Sequence, residues 1–215
     1  TFLHRLLAGD EETFTALKTW EIYLAPSILQ RKLFRGLKIV DGWLGAPLYR
    51  MLRAWDAEFL QGVPFHRISL WKPEEDVGIL LYAWYSLFSW FFFPDWRPVE
   101  QIVRFDEAIP APRRRRIIAF YAGCLRRHLY AHRTTRIVVS KNPSFSPMIQ
   151  SFHEFLPGVR FVGLVRDPLE TTASTLDWFS YAWHFFADPV ERYPFVEHVV
   201  EMVAVWYARL ARAEG

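Results

Sequence analysis

The sequence predicts an α/β fold: a parallel sheet flanked by helices, in one domain with a mainly helical insertion. Three observations predict it. Arg136-Ile137-Val138-Val139-Ser140 and Phe161-Val162-Gly163-Leu164-Val165 are short, apolar and β-prone, as buried parallel strands are. Each is followed at once by a polar turn and a stretch fit for a helix, and strands alternating with helices make a parallel sheet. Composition supplies the third. A 215-residue chain that is 52% hydrophobic and 18% aromatic has the means to bury a sizeable core and is not disordered.

The elements follow in order. Phe2 to Leu7 reads as a helix, followed by an acidic turn at Asp10-Glu11-Glu12, and Phe14 to Trp20 as a strand. Pro26 to Val40 and Leu44 to Leu60 read as largely helical. Val77 to Phe93 carries no charge and approaches the length of about 18 residues needed to span a membrane. Its aromatics and its two serines, Ser86 and Ser89, favour a buried or pocket-lining helix, with contact to a membrane surface or a greasy acceptor, and a true span, as the other readings. Pro73 at the first turn and Glu74, Glu75 and Asp76 facing the positive dipole would start that helix without any catalytic role. Prolines at 94, 98, 110 and 112 mark connections. In Arg113 to His132 the apolar residues recur at helical spacing, and Arg113-Arg114-Arg115-Arg116 reads as a solvated face. Pro147 to Phe155 and Tyr193 to Ala213 complete the helices.

Composition also excludes. Cys124 is the only cysteine, so neither an internal disulfide nor a thiolate metal site can form, and it reads as a small core residue. The net charge of +3 agrees with an anionic ligand, and no basic stripe interleaved with aromatics points to nucleic acid. The histidines at 4, 128, 132, 153, 184 and 198 read as having no second ligand at metal spacing, so no metal role is assigned.

The candidate site lies at the strand ends. Arg166 would close the Phe161 strand, Asp167 would cap the next helix, Pro168 would fill its first turn, and Ser174 would follow about two turns on. In an open α/β sheet ligands bind at the carboxyl ends of strands, and an Arg fork with a hydroxyl there suits a phosphate. Lys141 holds the equivalent place after the Arg136 strand, so two adjacent strand ends would offer cations to a multiply charged anion.

These residues resemble the PAPS-dependent sulfotransferases, in particular the bacterial-type branch related to tyrosylprotein sulfotransferases. Arg166 and Ser174 match that family's strand-Arg-helix-Ser element, and Lys141-Asn142-Pro143 resembles its Lys-x-Pro element. Thr1-Phe2-Leu3-His4-Arg5-Leu6-Leu7 is similar to the tail of a Gly-Thr-Thr-x-Leu-x-x-x-Leu segment, Lys18-Thr19-Trp20-Glu21 to a strand ending in Glu, and Pro73-Glu74-Glu75-Asp76 to a run found in this branch. The resemblance implies a P-loop-type sheet, a helical insertion from Ala25 to Val99 over the acceptor side, and PAPS as cosubstrate with no metal. It implies that Arg166 and Ser174 hold the 3′-phosphate, that Lys141 stabilises charge on the transferring oxygens, and that Thr1 is the remnant of the phosphosulfate-binding loop. That loop would precede Thr1, and the expectation is therefore a fragment, truncated at both ends, whose complete gene product is the active form.

Glu21 is the candidate general base, and His66, in the segment Val63 to Arg67, is the rival. The acceptor is a small molecule, lipid or peptide bearing a hydroxyl or amine. A cytoplasmic location is expected, with peripheral membrane association as the alternative. Two other functions stay open: a P-loop nucleotide kinase, which shares strand-end cations, and a membrane-surface or protein-interaction domain without catalysis.

Overall fold

Helices carry most of the chain. The computed structural model describes residues 2–24, 26–60, 68–186 and 195–213. In order these hold α1 (Phe2–Gly9), β1 (Phe14–Thr15), α2 (Thr19–Tyr23), α3 (Ile28–Trp43) and α4 (Pro47–Trp55), which continues as a π-helical turn at Asp56–Leu60. A 3-10 helix (Asp76–Ala83), α5 (Ser89–Phe92), α6 (Trp96–Val103), α7 (Phe105–Ala108) and α8 (Ala111–His132) follow. Then come β2 (Ile137–Val138), a 3-10 helix (Pro143–Met148) running into α9 (Ile149–Phe155), α10 (Pro168–Phe186) and α11 (Val196–Ala213). No helix among the described residues is long and apolar enough to cross a membrane.

The described residues fall into two compact units, one from Thr1–Ile79 and Ala122–Lys141, the other from Leu80–Tyr121 and Asn142–Gly215. The first unit contains the sheet. β1 and β2 pair in parallel, with Phe14 opposite Ile137 and Thr15 opposite Val138. The Ile137 amide donates to Thr13 O at 3.1 Å, and the Val139 amide to Thr15 O at 2.8 Å. Ser27 and Gln30 form a capping box that starts α3. Gly45 and Ala46, both in the left-handed region, turn the chain into α4, where Pro47 fills the first turn. The carboxylate of Asp41 accepts from the Leu48 and Tyr49 amides and so caps α4 from the helix before it.

The second unit is built on aromatic packing. Trp90 sits fully buried against Phe179 and Trp183, with ring centroids 4.8 and 5.0 Å away, and Val99, Val103, Val199 and Met202 close the cluster. The indole N–H of Trp183 donates to Trp90 O at 3.0 Å.

The sheet is smaller than the sequence suggests. The parallel pairing is present, but the described residues hold two strands of two residues each, so the sheet of a P-loop fold is not seen. Phe161 to Val165 is not a strand: it has no backbone partner among the described residues, and Val162, Leu164 and Val165 are exposed. A β-prone run becomes a strand only where a neighbour takes its backbone groups, and propensity alone does not supply one. The Arg136 strand is reduced to Ile137–Val138, and Ile137 is exposed, not buried. The Phe14 strand ends at Thr15, because Lys18 opens α2 through a capping box with Glu21. Val77 to Phe93 is not one helix either. The 3-10 helix ends at Ala83, Trp84 takes a positive φ, and α5 starts only at Ser89. Gly78 in that stretch lies so close to Tyr23 that a Cβ would fall 2.7 Å from its ring. Val77, Ile79, Leu80, Trp90 and Phe91 are buried, as the buried reading expects, though not in one helix.

Candidate active site

Glu21 stands in the first turn of α2 and is fully buried. Its position is therefore a helix start, not a strand end. Its Oε2 accepts from the Lys18 amide at 2.9 Å. Its Oε1 lies 2.5 Å from Arg31 Nη1 on α3 and 2.6 Å from His132 Nε2 at the end of α8. His128, one turn before His132, brings Nδ1 to 3.6 Å of the same oxygen and 3.4 Å from Arg31 Nη1. His128 Nε2 meets the Thr15 hydroxyl at 2.9 Å, so strand β1 and helix α8 are tied through one imidazole.

The electrostatics follow from burial and pairing. Burial by itself raises the Glu21 carboxyl, but His128, His132 and Arg31 outweigh it and hold the group well below the usual carboxylate range. Burial pushes the His128 imidazole down, against the upward pull of Glu21, so it is neutral at pH 7. Glu21 accepts from Arg31, His132 and Lys18, and the neutral His128 ring is held between the Thr15 hydroxyl at Nε2 and the Arg31–Glu21 pair at Nδ1.

Glu21, His128 and His132 also place one ligand atom each within 4.8 Å of one another, a set that can hold a metal ion. The sequence reading, which gave these histidines no second ligand, missed this. The signal was there: His128 and His132 are four residues apart on one helix, so they share a face. The guanidinium of Arg31 already occupies the cation's place in this cluster.

Lys141 follows β2 by three residues, at its carboxyl end, and pairs with Glu75, while the neighbouring Ser140 hydroxyl donates to Asp76 Oδ1 at 2.7 Å. The Pro73-Glu74-Glu75-Asp76 run thus does more than start a helix: it holds the end of the strand. Its own backbone is fixed by the Lys18–Pro73 bridge and by the Glu74 amide donating to Leu17 O at 3.2 Å. His4 of α1 is buried in the same unit, and burial with the charge of Lys141 lowers its pKa.

In the second unit, Asp167 Oδ1 accepts from the Leu169 and Glu170 amides at 2.9 and 3.0 Å, and Pro168 begins α10. Arg166 and Ser174 are both exposed. The nearest acid to Arg166 is Glu170, at 4.0 Å. Tyr207 on α11, which the sequence gave no reason to choose, donates to Arg166 O at 2.8 Å and meets the Thr171 hydroxyl at 2.8 Å, fixing the backbone beneath Arg166. Arg114 departs from the solvated face expected of its run. It is buried, donates to Ser151 Oγ at 2.7 Å and lies 3.4 Å from Asp106. Thr1 and His66 lie outside the described residues.

The sulfotransferase family profile matches residues 1–214. This chain belongs to the sulfotransferase family. Membership makes it a transferase. No curated protein and no solved structure matches the chain.

Proposed function

We propose that this sulfotransferase moves a sulfuryl group from PAPS to a hydroxyl or amine acceptor. The observation that carries the reading is Lys141 at the carboxyl end of β2, held by Glu75. The acceptor heteroatom attacks sulfur, and its bond forms as the bond from sulfur to the bridging oxygen breaks. The electron pair leaves on the phosphate, giving PAP, and the acceptor's proton passes to a base. Lys141 neutralises charge on the leaving phosphate, and Arg166 and Ser174 hold the 3′-phosphate.

Glu21 serves the proton transfer through His132. A buried carboxylate held far below its normal range is a weak proton acceptor, whereas the His132 side chain is 40% exposed and bonded to Glu21 through Nε2. Glu21 then fixes the orientation of the ring, as a carboxylate does behind a histidine base. Glu21 is a positioning residue in this arrangement.

The test is turnover of labelled PAPS by the protein. Lys141→Ala is expected to lower kcat about 100-fold or more while PAP affinity stays within a few-fold. His132→Gln is expected to lower kcat about 100-fold with PAP affinity unchanged, and Glu21→Gln to lower it by a smaller factor. Full activity in Lys141→Ala refutes the assignment of charge stabilisation, and full activity in His132→Gln refutes the base.

A further inference from the structure

We infer that the outward faces of α3 and α4 form a docking surface for an anionic lipid bilayer. On α3, Leu29, Leu33, Leu37, Val40 and Leu44 recur at intervals of four, four, three and four residues and are all exposed, Leu29 by 77% and Leu33 by 60%. At about 3.6 residues per turn these form a single stripe. The other side of the helix is the one attached to the protein, through Arg31 bonded to Glu21 and Asp41 capping α4, both buried. The buried side of α3 thus carries Arg31 and Asp41, while the apolar stripe faces out with Lys32, Arg35 and Lys38 exposed beside it. On α4 no residue is buried. Leu48, Met51 and Trp55, with Phe59 just beyond, share an exposed face, while Arg53 on the other side lies 4.5 Å over the Trp71 ring. Trp43, beside the turn between the helices, is 82% exposed, which suits an interfacial anchor.

Charge selects the occupant. From Ile28 to Trp55 there are six basic residues and one acid, Asp41, whose carboxylate is taken by the cap. An apolar surface rimmed by cations on long stems matches an anionic headgroup layer over acyl chains. A second copy of the chain would set one such positive surface against another and is disfavoured by repulsion. Beside α3 a cleft of about 420 Å³ is lined by Lys32, Arg35, Arg133, Thr134 and Thr135, with no carboxylate among its lining residues. Arginines and hydroxyls around such a cleft suit the phosphate of a lipid headgroup. The cleft lies at the amino end of β2, before Ile137, whereas Lys141 follows the carboxyl end. Arg31 also lines the cleft and holds Glu21, so the surface adjoins the proposed base, but it lies apart from Lys141 and does not rest on the donor reading. The stretch Val77 to Phe93, for which the sequence suggested membrane contact, buries much of its apolar surface instead.

Vesicle co-sedimentation tests this, using phosphatidylcholine alone and phosphatidylcholine with about one-third phosphatidylserine. The protein is expected to pellet with the anionic vesicles at low salt and to be released as salt rises. Leu33→Glu with Trp43→Glu is expected to weaken this at least tenfold at an unchanged melting temperature, since both residues are exposed. Arg133→Gly removes a cleft cation at a position with φ of 50°, where glycine is unstrained, so it is expected to keep the fold and lower binding several-fold. PAP binding by both variants is expected to match wild type, which separates this claim from the donor reading. The inference is overturned if the protein stays in the supernatant with anionic vesicles. It is equally overturned if neutral vesicles bind as well, or if the double variant binds as wild type. Self-association that Leu33→Glu abolishes, without vesicle binding, would assign the surface to a second copy.

Discussion

Lys141 and Arg166 occupy what the sequence reads as equivalent strand ends, yet their surroundings differ. Lys141 follows a strand that is paired, meets Glu75, and sits beside a serine bonded to Asp76. Arg166 follows an exposed run that is unpaired among the described residues, and there its one acid approach is Glu170 at 4.0 Å. Beneath it the backbone is nonetheless held, by Tyr207 and by the Asp167 cap. A cation already engaged by a carboxylate is oriented before any ligand arrives. One left in water is oriented by its ligand, so its contribution lies in affinity rather than in rate. The difference teaches that a shared motif position does not imply a shared state of preparation.

The anchored region should give the largest effects. Arg31→Ala leaves the Glu21 carboxylate buried without its guanidinium, and is expected to cost about 3–5 kcal/mol, read as a fall in the denaturant midpoint. A loss below about 1 kcal/mol would mean that the two histidines hold Glu21 unaided. Next comes Lys141→Ala in kcat, with the margin given above. Arg166→Ala acts through one charged contact in water, so PAP affinity is expected to fall about tenfold with kcat at saturation little changed. If kcat falls as far as it does in Lys141→Ala, the contrast between the two ends collapses. The smallest effect belongs to Tyr207→Phe, which removes a single neutral hydrogen bond and is expected to cost about 0.5–1.5 kcal/mol and to loosen PAP binding slightly.

Acid sensitivity sharpens the same comparison. His128 is held neutral in the fold with its pKa lowered, so the stability it contributes is full above its ordinary value, about 6.5, and is lost as pH falls below it. Glu21 is held ionised with its pKa lowered, so its contribution is full above about 4.3 and is lost as pH drops further. Thermal melts across pH should therefore show two successive declines. His128→Gln is expected to flatten the first, and an unchanged slope between pH 7 and 5 in that variant would contradict the burial account.

Much of the helical framework was legible in the sequence. Apolar periodicity gave α3, α8 and α11 to within a few residues, and Asp167-Pro168 gave the start of α10, because these signals are local. The sheet was less legible, since a strand exists only through a partner elsewhere in the chain. Phe161 to Val165 has the composition without the partner. The Glu21 cluster was half legible. Glu21 itself was singled out, and the spacing of His128 and His132 was there to read. Their convergence with Arg31 depends on α3 and α8 reaching the same carboxylate, which no local pattern encodes. Glu75 fell between these cases: its run was recognised as a helix start, and its contact with Lys141 came only from the fold.

The most direct measurement is calorimetric titration of PAP into the protein, with Arg166→Ala beside it. The account predicts saturable binding by the wild type and about tenfold weaker binding by the variant. A well-folded protein that binds no PAP would contradict it, and would leave Lys141 and Arg166 serving some other anion.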